Sequence, residues 1–231
     1  MEKQVEFKVG VETLRGKLFI PKGNGPFPGV IFFHGSGSKG ETYYEASEIL
    51  AKNGILAFMF NFRGCGKSDG KFEDQTIGMG IEDAKTALKL FLSFPELDKS
   101  RVGIAGSSYG GFLTALISDS YDFKSIALIV PAAYSPDKLE TFHTDDIKQD
   151  KFEDSPSYDK IAKFNKNLII FRSELDEILR EGTVEKYVKV STNASRKEYV
   201  ILKGAGHVIR LYPKAKKVML DKLLSWFKET L

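Results

Sequence analysis

The hydrophobic pattern of this chain is dominated by short, near-continuous apolar runs. Residues 30–33, 55–60, 102–105, 126–130 and 168–171 leave almost no polar position on either side of an extended backbone. Such runs belong to strands covered on both faces, as in a parallel sheet packed between helices. The chain opens differently. Val5, Phe7 and Val9 alternate with polar residues, Gly10 supplies a turn, and a second strand runs from about Thr13 to Ile20. That alternation predicts an antiparallel hairpin. Residues 21–28 form a Gly/Pro loop, and a last strand is expected over residues 199–202.

Helical periods fill the intervals. Ala46, Ile49 and Leu50 share one face ahead of an Asn53-Gly54 stop, and Ile81, Ala84, Leu88, Phe91 and Leu92 form a stripe that ends before Pro95. Residues 109–118 are small and apolar enough for a buried helix, and Leu220, Leu223, Leu224 and Phe227 bind a C-terminal helix to the body. Strand and helix in alternation predict an α/β sheet with right-handed crossovers and helices on both faces. One stretch breaks the rhythm. From about 132 to 165 the chain is polar and mixed in charge, with Tyr134, Phe142, Phe152 and Tyr158 scattered through it. An excursion of that length in a compact domain reads as a lid-like insertion.

Composition narrows the class. The 231 residues are 42% hydrophobic and 28% charged, with a net charge of +3, which suits a single globular domain over 1–231 and gives no reason to expect a nucleic-acid partner. One cysteine, Cys65, excludes an intrachain disulfide framework and a cysteine-based zinc site. The first residues lack the apolar run of a signal peptide, and the longest apolar runs are too short to span a bilayer. The expectation is a cytoplasmic protein without a membrane span.

Candidate chemistry begins at Gly106-Ser107-Ser108-Tyr109-Gly110. This G-x-S-x-G follows one predicted strand and opens a predicted helix, a turn that exposes a serine hydroxyl above the sheet. The frame selects Ser108 as nucleophile. A serine needs a base, and His207 in Gly204-Ala205-Gly206-His207 lies just past the last strand, at the carboxyl edge where sites of open α/β folds collect. Its competitor, His143, falls in the insertion. The supporting acid should follow the strand at 168–171. Asp176 is the choice, with Glu174 and Glu177 beside it, because a sequence does not show side-chain direction. Oxyanion donors are expected from the main-chain N–H groups of Ser36, in the glycine-rich loop His34-Gly35-Ser36-Gly37, and of Tyr109. His34 reads as a buried structural residue. Tyr134, Phe142 and Phe152 are candidates for substrate contact or for anchoring the insertion.

These motifs, with Asn61-Phe62-Arg63-Gly64-Cys65-Gly66-Lys67-Ser68-Asp69-Gly70 between them, resemble the α/β-hydrolase superfamily over nearly the whole chain. Within it the chain is most similar to small serine esterases of the dienelactone-hydrolase-like and cinnamoyl-esterase-like groups. The resemblance implies about eight mostly parallel strands, an antiparallel N-terminal hairpin and a lid after the sixth strand. It also departs from those groups. Dienelactone hydrolases proper carry a cysteine nucleophile where Ser108 stands, and relatives often flank the acid with glycine and proline where this chain has Ser173 and Leu179-Arg180. The expected function is a carboxylesterase acting on small to medium acyl esters through an acyl-enzyme, with no metal or organic cofactor. A thioesterase or aminopeptidase-type hydrolase would use the same machinery, and a non-catalytic ligand-binding protein of this fold is the rival of another class.

Overall fold

The computed structural model describes residues 1–138, 140–141 and 152–231. Its strands are β1 (Glu2–Val9), β2 (Glu12–Phe19), β3 (Phe27–Phe33), β4 (Leu56–Phe60), β5 (Leu97–Ser107), β6 (Ser125–Ile129), β7 (Asn167–Ser173) and β8 (Arg196–Leu202). They form one sheet in the order β1-β2-β4-β3-β5-β6-β7-β8. β1 pairs antiparallel with β2 and β2 antiparallel with β4, whereas every pairing from β4 across to β8 is parallel. The chain leaves β3 to one side for β4 and returns to its other side for β5. The strand order therefore reverses at β3, and the crevice above that reversal is where open α/β sheets place their sites.

The apolar runs are buried on both faces because alternate residues serve two cores. Ile31, Phe33, Ile126, Leu128, Leu168 and Ile170 join the layer under α2 (Ile77–Phe91) and α3 (Tyr109–Leu116). Val30, Phe32, Ala127, Ile129, Ile169 and Phe171 face α1 (Tyr44–Lys52) and α6 (Pro213–Thr230), where Trp226 and Phe227 are fully buried. Thr76 caps α2 by accepting the Met79 N–H at 3.2 Å. No helix among the described residues is long and apolar enough to cross a membrane.

Two helices are short, eight residues each, and their apolar stripes are narrow. α4 (Pro156–Lys163) occupies the C-terminal end of the stretch expected to be an irregular insertion, and α5 (Thr183–Val190) lies between β7 and β8. Their buried faces are Ser157, Tyr158 and Ile161, and Thr183, Val184 and Tyr187. Hydroxyl groups stand in for aliphatic side chains there. Ser157 Oγ lies 2.8 Å from Ser155 Oγ and 2.6 Å from Tyr187 Oη, and Tyr187 donates to the Ala132 carbonyl at 2.7 Å. A hydrogen-bonded seam of this kind satisfies the hydroxyl groups that these faces bury beside their apolar residues.

Candidate active site

The turn at Ser108 is made possible by two contacts that admit no side chain. A Cβ on Gly106 would sit 2.1 Å from the Gly110 carbonyl oxygen, and one on Gly110 would sit 2.1 Å from the Phe33 carbonyl oxygen. With both positions bare, β5 runs directly into α3. Ser108 itself takes φ 51° and ψ −117°, outside the regions open to L-residues at low cost. Neighbouring main chain holds it there. Its N–H donates to the Ile129 carbonyl, and its own carbonyl accepts from Phe112 and Ala132, each at 3.0 Å. A second non-glycine residue of positive φ, Val130 at 41°, follows directly at the end of β6, its N–H bonded to the Phe171 carbonyl at 2.9 Å. Nothing in the sequence signals the strain at Val130, since a β-branched residue is among the last expected there.

His207 reaches Ser108 from the loop after β8. Its Nε2 lies 2.9 Å from Ser108 Oγ, and its Nδ1 lies 2.8 Å from Asp176 Oδ2. The histidine and aspartate side chains of this pair are 11% and 9% exposed, so their contact is largely shielded from water. The loop carrying the acid and the loop carrying the histidine are bound to each other by main-chain bonds, Glu174 N–H to the Leu202 carbonyl at 3.1 Å and Leu175 N–H to the Ala205 carbonyl at 2.8 Å. Of the three neighbouring acids, Asp176 faces the imidazole. Glu174 accepts from Lys203 Nζ at 2.7 Å and the Gly204 N–H at 2.8 Å, and Glu177 accepts the His207 N–H at 3.1 Å. Both glutamates thus brace the histidine loop by its backbone. Burial by itself would raise the Asp176 carboxyl, but the hydrogen bond and charge of His207, with the N–H groups of Leu179 and Ile178, outweigh it and hold the group below the usual carboxylate range.

The loop after β3 passes beside Ser108. A Cβ on Gly35 would stand 3.4 Å from Ser108 Cβ, and Ser36 shares a cleft wall with Ser108. His34 fixes the start of this loop. Its Nε2 accepts the Phe62 N–H at 3.1 Å, which leaves Nδ1 to donate to the Gly35 carbonyl at 2.8 Å. The ring is buried edge-on against Phe62. Burial pushes its pKa down to about 4, which keeps it neutral. Asn61 Oδ1 accepts the Gly40 N–H at 2.6 Å, tying the far end of the loop to the strand-end segment that contains Arg63, Ser68 and Asp69. Arg63 there is clamped by the fully buried Asp83 at 2.8 and 2.6 Å, and Asp69 binds Arg15 of β2 at 2.7 Å. Cys65 is buried in the same turn, and burial raises its thiol to about 11, which keeps it protonated and unreactive.

Tyr109, the first residue of α3, is buried with its ring against Phe62, Phe112 and Tyr134. Tyr134 is also buried, edge-on to Phe112 with ring centroids 4.9 Å apart. Phe152 is half-buried against the same core. Phe142 and His143 lie outside the described residues. A cleft of about 260 Å³ opens at Ser108 and His207, and Tyr134 is not among the residues that line it. Its walls come from the turn leading into α1 (Thr42, Tyr43), from the first turn of α1 (Glu45, Ala46) and from residues 208–220, segments far apart in sequence that no local motif connects. Among the described residues, no group of His, Cys, Asp or Glu side chains is arranged to hold a metal ion.

A profile of the prolyl oligopeptidase family matches residues 42–231. Esterase EstD of Thermotoga maritima is 31% identical over 139 residues, covering 55% of this chain and 32% of its own length. Acyl-coenzyme A thioesterase 3 of Mus musculus is 32% identical over 126 residues, covering 53% of this chain and 27% of its own. The chain thus spans about a third or less of these relatives. Among solved structures, Est1E from Butyrivibrio proteoclasticus with ferulic acid bound superposes with a TM-score of 0.76 at 19% identity, covering 98% of both chains. That likeness establishes the α/β-hydrolase fold.

Proposed function

The chain belongs to the prolyl oligopeptidase family, and from that premise we propose that it is a serine hydrolase, a carboxylesterase acting on small to medium acyl esters. The observation that carries the reading is the continuous relay from Ser108 Oγ through both nitrogens of His207 to Asp176. With Asp176 ionised, Nδ1 keeps its proton and donates it to the carboxylate, so Nε2 is left as the acceptor for the serine proton. Ser108 Oγ attacks the acyl carbonyl as its proton passes to Nε2. The imidazolium that forms is stabilised by Asp176 and then delivers the proton to the departing oxygen, leaving the acyl group on Ser108. Water, deprotonated by the same nitrogen, releases the acid. The oxyanion is assigned to the main-chain N–H groups of Ser36 and Tyr109. Tyr109 begins α3, where N–H groups point outward and the helix end is positive, and the Ser36 loop is held beside the nucleophile by His34.

Thioesters are the second substrate class, because the relay cleaves them by the same steps and one of the similar proteins is a thioesterase by name. A fluorophosphonate followed by peptide mapping tests the reading. One adduct on Ser108, lost in Ser108→Ala together with turnover of an ester, thioester and amide panel, is the expected result. A label on Ser107 or Ser36, or an unlabelled protein, would overturn it.

A further inference from the structure

The cleft beside Ser108 has a charge that the relay does not use. Directly after His207, Val208, Ile209 and Arg210 turn along one wall, and Lys216, Met219 and Leu220 of α6 close its end. Most of this lining is apolar. Of its cations, Lys216 is ion-paired with Glu45 across the cleft. Arg210 is not. Arg15, Arg63, Arg101, Arg172 and Arg196 each sit in an ion pair, yet Arg210 has no carboxylate partner among the described residues. The acids nearest the histidine are already engaged, Asp176 by the imidazole, Glu177 by the His207 N–H and Glu174 by Lys203 and Gly204. One positive charge therefore stands uncompensated on the wall of the cleft.

The direction of the chemistry says which part of a substrate meets it. The leaving atom must sit beside His207 Nε2 to take the proton, and the chain that continues from His207 is the wall bearing Arg210. The volume of about 260 Å³ lies at the small end for ligand sites, which suits a single ring or short chain rather than a long acyl tail. We infer that this cleft seats the leaving alcohol or thiol and that Arg210 binds an anionic group carried on it, a carboxylate or phosphate. The inference rests on the serine-hydrolase reading and adds a substrate class to it: esters whose alcohol portion is small and negatively charged. A guanidinium suits that task because its planar fork meets the two oxygens of a carboxylate or phosphate together.

The test compares kcat/KM for 4-carboxyphenyl butyrate and 4-carboxamidophenyl butyrate in the wild type and in Arg210→Gln. Intrinsic reactivity cancels when each ratio is compared between the two proteins. The anionic-to-neutral ratio should fall about five- to tenfold in Arg210→Gln, as for a partly exposed charge-assisted contact. It should also fall in the wild type as salt is raised, since the contact is near solvent. Glu45→Gln should raise the ratio by releasing Lys216. Phenyl hemiglutarate against phenyl butyrate, which places the charge on the acyl side, should show no such dependence on Arg210. An unchanged ratio in Arg210→Gln, or an equal effect on the hemiglutarate, overturns the inference while active, fluorophosphonate-labelled enzyme leaves the hydrolase reading standing. Failure of Ser108 to label overturns both.

Discussion

The two oxygens of Asp176 serve different partners: Oδ2 lies 2.8 Å from His207 Nδ1, while Oδ1 accepts the N–H groups of Ile178 and Leu179 at 3.0 Å each. A carboxylate gripped on one oxygen by its own loop presents the other in a fixed direction. Asparagine at this position can keep the loop bonds through its carbonyl oxygen, which turns its amide N–H toward Nδ1 and favours the wrong imidazole tautomer. Asp176→Asn should therefore fold and lose about 10²–10⁴ in turnover of a neutral ester. Glu174→Gln and Glu177→Gln keep an acceptor for the backbone they brace and should lose less than about tenfold. Turnover of the three variants, with circular dichroism as the folding control, decides the assignment. An equal loss in either glutamine variant would transfer the acid's role.

The strain at Ser108 makes a stability prediction of unusual sign. Its φ of 51° and ψ of −117° cost about 1–3 kcal/mol for a side-chain-bearing residue and far less for glycine. Ser108→Gly should abolish turnover and raise the urea midpoint, whereas Ser108→Ala should abolish turnover and leave the strain in place. Gly110→Ala should act in the opposite direction, since its Cβ would collide with the Phe33 carbonyl. A loss of about 1–3 kcal/mol or more is expected. If Ser108→Gly proves less stable than Ser108→Ala, the turn is not holding stored strain.

These two groups also show what a linear sequence can and cannot display. Ser108 is legible because its glycines, the apolar run before it and the small residues after it are contiguous, and each is required by the same turn. His207 is legible for a similar reason, standing in a glycine-rich loop past the last strand. Asp176 is different. Three acids lie within four positions, and their roles diverge through side-chain direction: one meets an imidazole and two meet backbone. The sheet was readable because alternate residues of β3, β6 and β7 enter two separate cores. Helices α4 and α5 were not, because each is only eight residues long and its stripe of two or three apolar residues is too short to stand out from its polar surroundings. The cleft joins residues 42–46 to 208–220 across the sheet's carboxyl edge, and no pattern within either segment marks that meeting.

His34 carries a pH dependence separate from catalysis. Burial pushes its pKa down to about 4, below the ordinary histidine value near 6.5. As pH falls, the unfolded chain takes up this proton before the folded one does. The stability contributed by neutral His34 is then complete above about pH 6.5 and is lost progressively toward pH 4, by on the order of 3 kcal/mol. His34→Gln removes the titrating group. Urea unfolding at pH 7.5 and 4.5 should show the wild type losing more stability than the variant over that interval. Parallel losses would mean that the imidazole is charged in the folded protein.

Tyr134 separates packing from substrate contact. Its ring meets Phe112 at 4.9 Å and Tyr109 at 6.0 Å, edge-on in both cases, and only 3% of the residue is exposed. Removing a buried aromatic of this kind costs about 3–5 kcal/mol. The same ring supports Tyr109, whose N–H is assigned to the oxyanion, so its loss loosens the first turn of α3. Tyr134→Ala should be less stable by that amount and should lower kcat for acetyl, butyryl and hexanoyl esters by a common factor. A group that bound the acyl chain would instead change the ratio of kcat/KM along the series, because contacts remote from the carbonyl alter chain-length preference. Phe152→Ala, with a half-buried ring on the same core, provides the comparison at a smaller stability cost. A common factor in Tyr134→Ala assigns that ring to holding α3, and a shifted series in either variant makes that ring a wall of the acyl site.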